Sequence, residues 1–368
     1  MKLVLFFSRG ISLSIWHHSG LLERELAIYK KMLSSFKSIA FITYDTDSDL
    51  SSIKNLNGFE VLANRWGLPT DLFSLLAPII YRAKIRHNSI YKTNQINGWW
   101  VGGLSKFFYG KPLIVRCGYL LSLDQERKNY SRCRIILTSL LEKWAFRYSD
   151  ASIVTTPQIK NEVIRRYGLP PEKIRVIPNP IDTDIFCPLP ETKEIEGRLG
   201  FVGRFSPEKN IKLLLEAVSG LNNTSVLLIG AGELRSELER LASRKGIDVT
   251  FCGNVPNYNL PELLNTCQAF VLPSQWEGMP KALLEAMACG LPVIGTNVPG
   301  ISDLIEHGRT GYLCEPTSKD LHSAIRKVLN DLPLRIKLGK QARNFVVKNY
   351  TLEQSVSKEL ELLLSLIN

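Results

Sequence analysis

The sequence predicts an α/β protein of two Rossmann-like, doubly wound domains facing one another across a cleft. Three observations carry this. Short β-rich apolar runs alternate with longer segments of helical spacing, the pattern of a parallel sheet covered by helices on both faces. The alternation is interrupted once, by a connector rich in Pro, Asp and Glu, and then restarts. A chain of 368 residues also exceeds what one hydrophobic core ordinarily serves.

In the first domain, placed at 1–185, strands are expected at "KLVLFF" (2–7), "SIAFIT" (38–43), "EVLAN" (60–64), "SIYKTN" (89–94), "PLIVR" (112–116), "ASIVTT" (151–156) and "IRVIP" (174–178). Segments such as "GLLERELAIYKKML" and "ILTSLLEKWAFRYS" between them have helical spacing. The connector is "PNPIDTDIFCPLPETKEIEGR" (178–198). The second domain, 195–350, repeats the alternation with "RLGFVG", "TSVLLIG", "DVTFCG", "QAFVLP" and "PVIGT". The last segment, about 351–368, reads as an amphipathic helix that packs back on the first domain. Ligands of such sheets bind beyond the carboxyl ends of the strands.

Apolar residues are 45% and charged residues 22%, as in soluble globular proteins. No apolar run approaches the roughly 18–20 residues of a membrane span. The apolar start is too short for a signal-peptide core. Seven cysteines without a C-x-x-C pair suggest reduced thiols, so a cytoplasmic location is expected. Charge is uneven: residues 1–180 hold 26 Lys and Arg against 13 Asp and Glu, a net +13, while the remainder holds 20 against 22, a net −2. The first half is therefore expected to meet something anionic, or simply to present a solvated basic surface. Nucleic acid is set aside for want of any supporting fold motif or basic–aromatic module.

The segment "PSQWEGMPKALLEAMACGLPVIGT" (273–296) places Glu277 in a loop and Glu285 inside a helix starting near Pro280. Eight residues of helix span at most about 12 Å, the reach from a sugar past a diphosphate to a ribose. Amides around Gly278, Met279 and Lys281 can hold phosphate oxygens at the helix N-terminus. The alternative is a pair of solvated helix-end carboxylates. In "VGRFSPEKN" (202–210), Gly203 permits close backbone approach, and Arg204 and Lys209 put positive charge where a strand gives way to a helix. Fixed cations there would stabilise charge developing on a leaving diphosphate. Ordinary helix-end charge is again the alternative.

Together "VIPNPIDTDIF", "GRFSPEKN", "PSQWEGMPKALLEAMACGLPVIGT" and "VPGISDLIEHGRTGYLCEP", in this order over about 175–316, resemble the retaining glycosyltransferases of family 4, which have the GT-B fold. The resemblance implies a nucleotide-diphospho-sugar donor in the second domain, a glycan acceptor in the first, domain closure, and retention of anomeric configuration without a metal ion or other cofactor. Carried over, Arg204 and Lys209 bind the diphosphate, Glu277 the donor sugar and Glu285 the ribose, with Asn254 and Val255 of "FCGNV" bordering the base. Glu277, Arg204 and Lys209 are the expected catalytic residues. Either Glu277 forms a glycosyl–enzyme intermediate or the leaving phosphate takes the acceptor proton in an ion pair, the route usual for the family.

"DTD" at 45–47 and 182–184 mimics a metal motif of the other large glycosyltransferase fold and reads as non-metal at both places, 45–47 as a turn. "IGAGELRSEL" (229–238) lacks the third glycine of a dinucleotide fingerprint. Family members often carry a histidine after a first-domain strand; the comparable "PLIVRCGYLLS" has Arg116, which either fixes a donor or acceptor oxygen or is a further basic surface residue. On the acceptor side the expected residues are Gly10, Trp16, His18 and Arg116, with "SRGISLSIWHHSG" (8–20) a polar loop whose Trp16 either stacks on a sugar or packs.

Relatives that act on lipid-linked intermediates suggest a purpose for the basic half. The acceptor is expected to be a lipid-linked oligosaccharide of a bacterial surface polysaccharide, such as lipopolysaccharide or capsule. The protein is expected to touch the inner face of the cytoplasmic membrane peripherally, through basic and apolar positions of "DLFSLLAPIIYRAKIRHNS" (71–89); that segment otherwise reads as a core helix with a solvated end. Two alternatives remain: a GT-B nucleotide-sugar epimerase, and a non-catalytic nucleotide-sugar-binding subunit.

Overall fold

The computed structural model describes residues 1–53 and 56–367. The chain divides into two compact units, Met1–Pro178 with Ser355 onward, and Asn179–Gln354.

The first unit is built on β1 (Lys2–Phe6), β2 (Ser38–Ile42), β3 (Phe59–Leu62), β4 (Ser89–Thr93), β5 (Leu113–Cys117), β6 (Ala151–Val154) and β7 (Ile174–Val176). All pair in parallel, in the order β3-β2-β1-β4-β5-β6-β7. Chain direction across the sheet reverses between β1 and β4, a topological switch point. Strands covered on both faces must be apolar throughout, and β4, β5 and β6 are buried at every position.

One of those positions is Lys92, in the middle of β4. Its Nζ donates to Glu359 on the C-terminal helix Leu352–Ser365 and, at 3.1 Å, to the Tyr29 hydroxyl. Burial pushes the Tyr29 phenol up, against the pull of Lys92. Arg116, from β5, brings its guanidinium 3.7 Å from the second Glu359 oxygen. The C-terminal helix therefore supplies the carboxylate for two cations projecting from the sheet.

The second unit has β8 (Arg198–Val202), β9 (Ser225–Ile229), β10 (Asp248–Gly253), β11 (Ala269–Leu272), β12 (Val293–Thr296) and β13 (Tyr312–Cys314), parallel in the order β10-β9-β8-β11-β12-β13. Its switch point lies between β8 and β11. Residues 179–185, left with the first domain by the sequence, sit in this unit. Ile181 bonds Tyr350 and Leu352 through its backbone, and the Phe186 ring is buried in the second core. The three-residue β13 was not expected, being too short to show a period.

The loop expected at 8–20 contains a helix, Leu13–His18. The carboxylate of Asp45 accepts from the Leu13 amide at 2.9 Å and the Ser14 amide at 3.0 Å, closing the helix N-terminus. Asp45 is thus a tertiary cap rather than a turn residue. Asp182 accepts from the Asp184 amide at 3.2 Å, a local side-chain turn.

Replacing Glu359 with Leu would leave Lys92 buried without the carboxylate to which it donates. A loss of about 3–5 kcal/mol is expected in chemical denaturation of the full chain, with much of it recovered in Lys92→Met/Glu359→Leu.

Candidate functional site

The site grows from the ends of β8 and β11, neighbours at the second switch point. Past Val202 the Gly203 amide donates to the Ile229 carbonyl at 3.0 Å and the Phe205 amide to that of Ala231 at 2.9 Å, so the chain leaves the sheet along the β9 loop. It then makes a 3₁₀ turn, Pro207–Lys209, passes Asn210 at φ +49°, and enters the helix Ile211–Val218. Past Leu272 a loop runs to Pro280, where the helix Lys281–Ala288 begins, within a residue of the sequence expectation.

Backbone contacts fasten the two loops. The Gln275 amide donates to the Glu208 carbonyl at 2.8 Å, the Thr296 hydroxyl to the Ser274 carbonyl at 2.6 Å, and the Glu277 amide to the Pro299 carbonyl at 3.2 Å. On this frame Lys209 Nζ and Ser274 Oγ each donate to Glu277 Oε1 at 2.6 Å. The Lys209 and Glu277 side chains are only 17% and 10% exposed. Arg204, by contrast, is 79% exposed, with Glu208 Oε1 3.6 Å from its guanidinium. Of the three residues the sequence groups, Lys209 and Glu277 are thus in contact, while Arg204 extends into solvent.

The N-cap of the Lys281–Ala288 helix, Pro280, makes no side-chain cap hydrogen bond. A helix N-terminus of this kind suits an anion. Met279 is buried against the connector: Asn179 Nδ2 donates to its carbonyl at 3.2 Å and the Asn179 amide to its sulfur at 3.3 Å. Gly278 and Lys281 are half-buried, Pro280 is buried, and past β10 Asn254 is exposed with Val255 half-buried.

Glu285 lies inside the helix as expected but is 1% exposed, and Oε1 accepts from Asn257 Nδ2 at 3.0 Å. Sequence reasoning missed Asn257; the signal available was that a carboxylate on a buried helix face requires a donor.

Gly300 was also missed, although it lies in the quoted "VPGI". It sits at φ +84°, where a Cβ would lie 2.5 Å from the Glu277 carbonyl oxygen and 2.6 Å from that of Gly278. Gly230, at φ +136°, has no room for a Cβ against the Gly203 carbonyl, 2.0 Å away. Both glycines let a neighbouring loop press on the backbone that carries the site.

The acceptor-side candidates belong to the first unit. Trp16 is 5% exposed and packs on Phe7 with ring centroids 4.5 Å apart, so of the two readings the sequence left open it takes the packing one, and its place among the acceptor-side residues is corrected. His18 is exposed, its Nδ1 2.8 Å from the Ser14 carbonyl, and Gly10 is exposed at φ +78°. Arg116 is buried beside Glu359, which corrects its expectation as a surface residue.

Among the described residues no three His, Cys, Asp or Glu side chains are grouped to hold a metal. All seven cysteines are free, and burial raises the thiols of Cys117 and Cys289 and takes those of Cys267 and Cys314 to about 12.

Residues 190–345 match the family described as glycosyl transferases group 1, and residues 55–185 match glycosyltransferase family 4. The chain is 25% identical over 328 residues to the UDP-Gal:alpha-D-GlcNAc-diphosphoundecaprenol alpha-1,3-galactosyltransferase of Escherichia coli, covering 83% of this chain and 82% of the relative. It is 26% identical over 261 residues to the alpha-D-kanosaminyltransferase of Streptomyces kanamyceticus, covering 66% and 68%. Among solved structures, Anabaena Alr3699/HepE in complex with UDP and glucose superposes with TM-score 0.80 at 20% identity over 99% of this chain and all of that one. WaaG, a glycosyltransferase involved in lipopolysaccharide biosynthesis, does so with TM-score 0.73 at 17% identity, over 97% and 98%. The likeness establishes a GT-B fold.

Gly300→Ala should push the 277–278 loop off Lys209. The strained backbone alone costs on the order of 1–3 kcal/mol. A lowered melting temperature is expected, together with loss of the thermal shift given by nucleoside diphosphates.

Proposed function

We propose that this chain, which belongs to glycosyltransferase family 4, moves a hexose-type sugar, with retention, from a nucleoside-diphosphate sugar to a glycan acceptor, and that the acceptor is a lipid-linked oligosaccharide of a bacterial surface polysaccharide. The observation that carries this is the Lys209–Glu277–Ser274 constellation at the switch point, beside Arg204 and a helix N-terminus without a side-chain cap. The named donor and acceptor of the Escherichia coli relative, and the UDP and glucose held by HepE, support it.

As the bond from the anomeric carbon to the phosphate oxygen breaks, its electron pair goes to the diphosphate. Lys209, Arg204 and the helix amides face that growing charge, worth several kcal/mol in typical enzymes. Glu277 is held by one oxygen and offers the other to a sugar hydroxyl, fixing the ring. The leaving phosphate oxygen takes the proton of the acceptor hydroxyl, which bonds to the anomeric carbon on the face just vacated. Glu285, steadied by Asn257, takes the ribose, and Asn254 and Val255 border the base. The first unit binds the acceptor. With two cations at the diphosphate, the transfer needs no metal ion.

The test is a melting screen against nucleoside diphosphates followed by transfer from the stabilising donor. Lys209→Ala and Glu277→Ala are each expected to lower kcat/KM at least 100-fold, EDTA is expected to change nothing, and the product should keep the donor's anomeric configuration by NMR. Unchanged transfer by Glu277→Ala would sink the assignment.

A further inference from the structure

The carboxyl ends of the second sheet hold a side chain that the transfer chemistry does not use. Arg235 opens the helix Arg235–Lys245, which follows the loop leaving β9. Its Nε donates to Glu239, one turn along the same helix, at 2.8 Å. Its guanidinium carbon lies 5.6 Å from the centre of the Phe251 ring. Among the described residues Glu239 is the one side-chain hydrogen-bond partner of Arg235. An ion pair exposed by 42% and 44% contributes little to stability. What the carboxylate and the ring do is fix the plane of the cation.

One terminal nitrogen, Nη1, faces the last residue of β10. Gly253 sits at φ +69°, and a Cβ there would have Nη1, 3.9 Å away, as its only heavy-atom neighbour within 4 Å. Bare backbone and guanidinium thus border the same open space. The Gly230 amide donates to the Gly253 carbonyl at 2.8 Å, tying the loop that carries Arg235 to the end of β10. In the sheet β10 lies two strands from β8, about 10 Å at the usual strand spacing. A nucleotide whose diphosphate lies at the end of β8 can therefore bring the far edge of its base to Gly253.

We infer that Arg235 reads the base of the donor nucleotide by donating to a ring carbonyl, so that the protein takes keto-bearing bases and turns away amino-bearing ones. Arginine has donors only. Where uracil and hypoxanthine carry a carbonyl oxygen, which accepts, cytosine and adenine carry an amine, which sets N–H against N–H. Discrimination then comes from an attraction in one case and a repulsion in the other. The assignment rests on the nucleoside-diphosphate-sugar reading of the site and adds the class of base to it.

Calorimetric titration of the full chain with UDP, CDP, inosine diphosphate, ADP and inorganic pyrophosphate tests it. UDP against CDP, and inosine diphosphate against ADP, exchange the carbonyl for the amine at constant ring size. In whichever pair binds, the keto member is expected to bind at least about tenfold more tightly, as a hydrogen bond to a charged group allows. Arg235→Met keeps the apolar stem and removes the donors. It should bring that ratio to near one, with the unliganded melting temperature and the affinity for pyrophosphate unchanged. Amino bases bound by wild type as tightly as keto bases would overturn the assignment and leave Arg235 a surface ion pair. So would a ratio unchanged in Arg235→Met. Equal weakening of every ligand in that variant, pyrophosphate included, would also overturn it, making Arg235 a cation for the diphosphate. In those three outcomes the nucleotides still bind and the donor reading stands. Failure of all five ligands to bind would overturn both.

Discussion

The bond between Lys209 and Glu277 is the constraint on which the site depends. It joins side chains 68 positions apart, each carried by a loop leaving one of two adjacent strands at the place where chain direction reverses. An ion pair with so little exposure loses much of its hydration, and in stability terms alone an apolar pair would serve as well or better. Its merit is positional. With one oxygen held by Lys209 and Ser274, the carboxylate cannot turn, and its other oxygen faces a set direction. On the proposed function the lysine is likewise held in place before any anion arrives, so little reorganisation is left for the moment of reaction.

The first unit contains a second buried pair, Lys92 with Glu359, and the contrast is instructive. Its members are effectively sealed, a tyrosine and an arginine complete the cluster, and it lies within a sheet rather than beyond a strand end. That pair fastens the last helix to the body of the unit. Buried charge is therefore not sufficient to mark a site. What separates the two is the company at β8 and β11: a helix whose N-cap makes no side-chain hydrogen bond, and a largely exposed arginine.

Much of this was legible in the sequence, because strands buried on both faces must be continuous apolar runs, and β1 through β12 stand where such runs occur. The glutamates eight apart and the strand-to-helix cations showed for a similar reason: charge placed where an apolar element ends. The parts that were hidden depend on partners remote in sequence. The helix at Leu13–His18 is closed by Asp45 from another strand end, so its polar residues looked like a loop and Trp16 looked available. Asn257 and Gly300 act only through what they touch, a carboxylate 28 positions away and the carbonyls of 277 and 278. The segment 132–148 has apolar residues around most of its circumference, so spacing could not say which face the core would take.

The uneven charge falls into place when range is considered. Screening limits a surface charge to about 8 Å at physiological salt, so the basic excess of the first half does little for a ligand held in the second unit. That unit carries a net charge near zero and needs none, because an anion is held by the few groups aimed at it. On the proposed function Lys209, Arg204 and the helix amides meet that need locally. A compact anion needs aim rather than number, so the proposed donor site can sit in the half of the chain that carries almost no net charge while the basic excess lies in the other half.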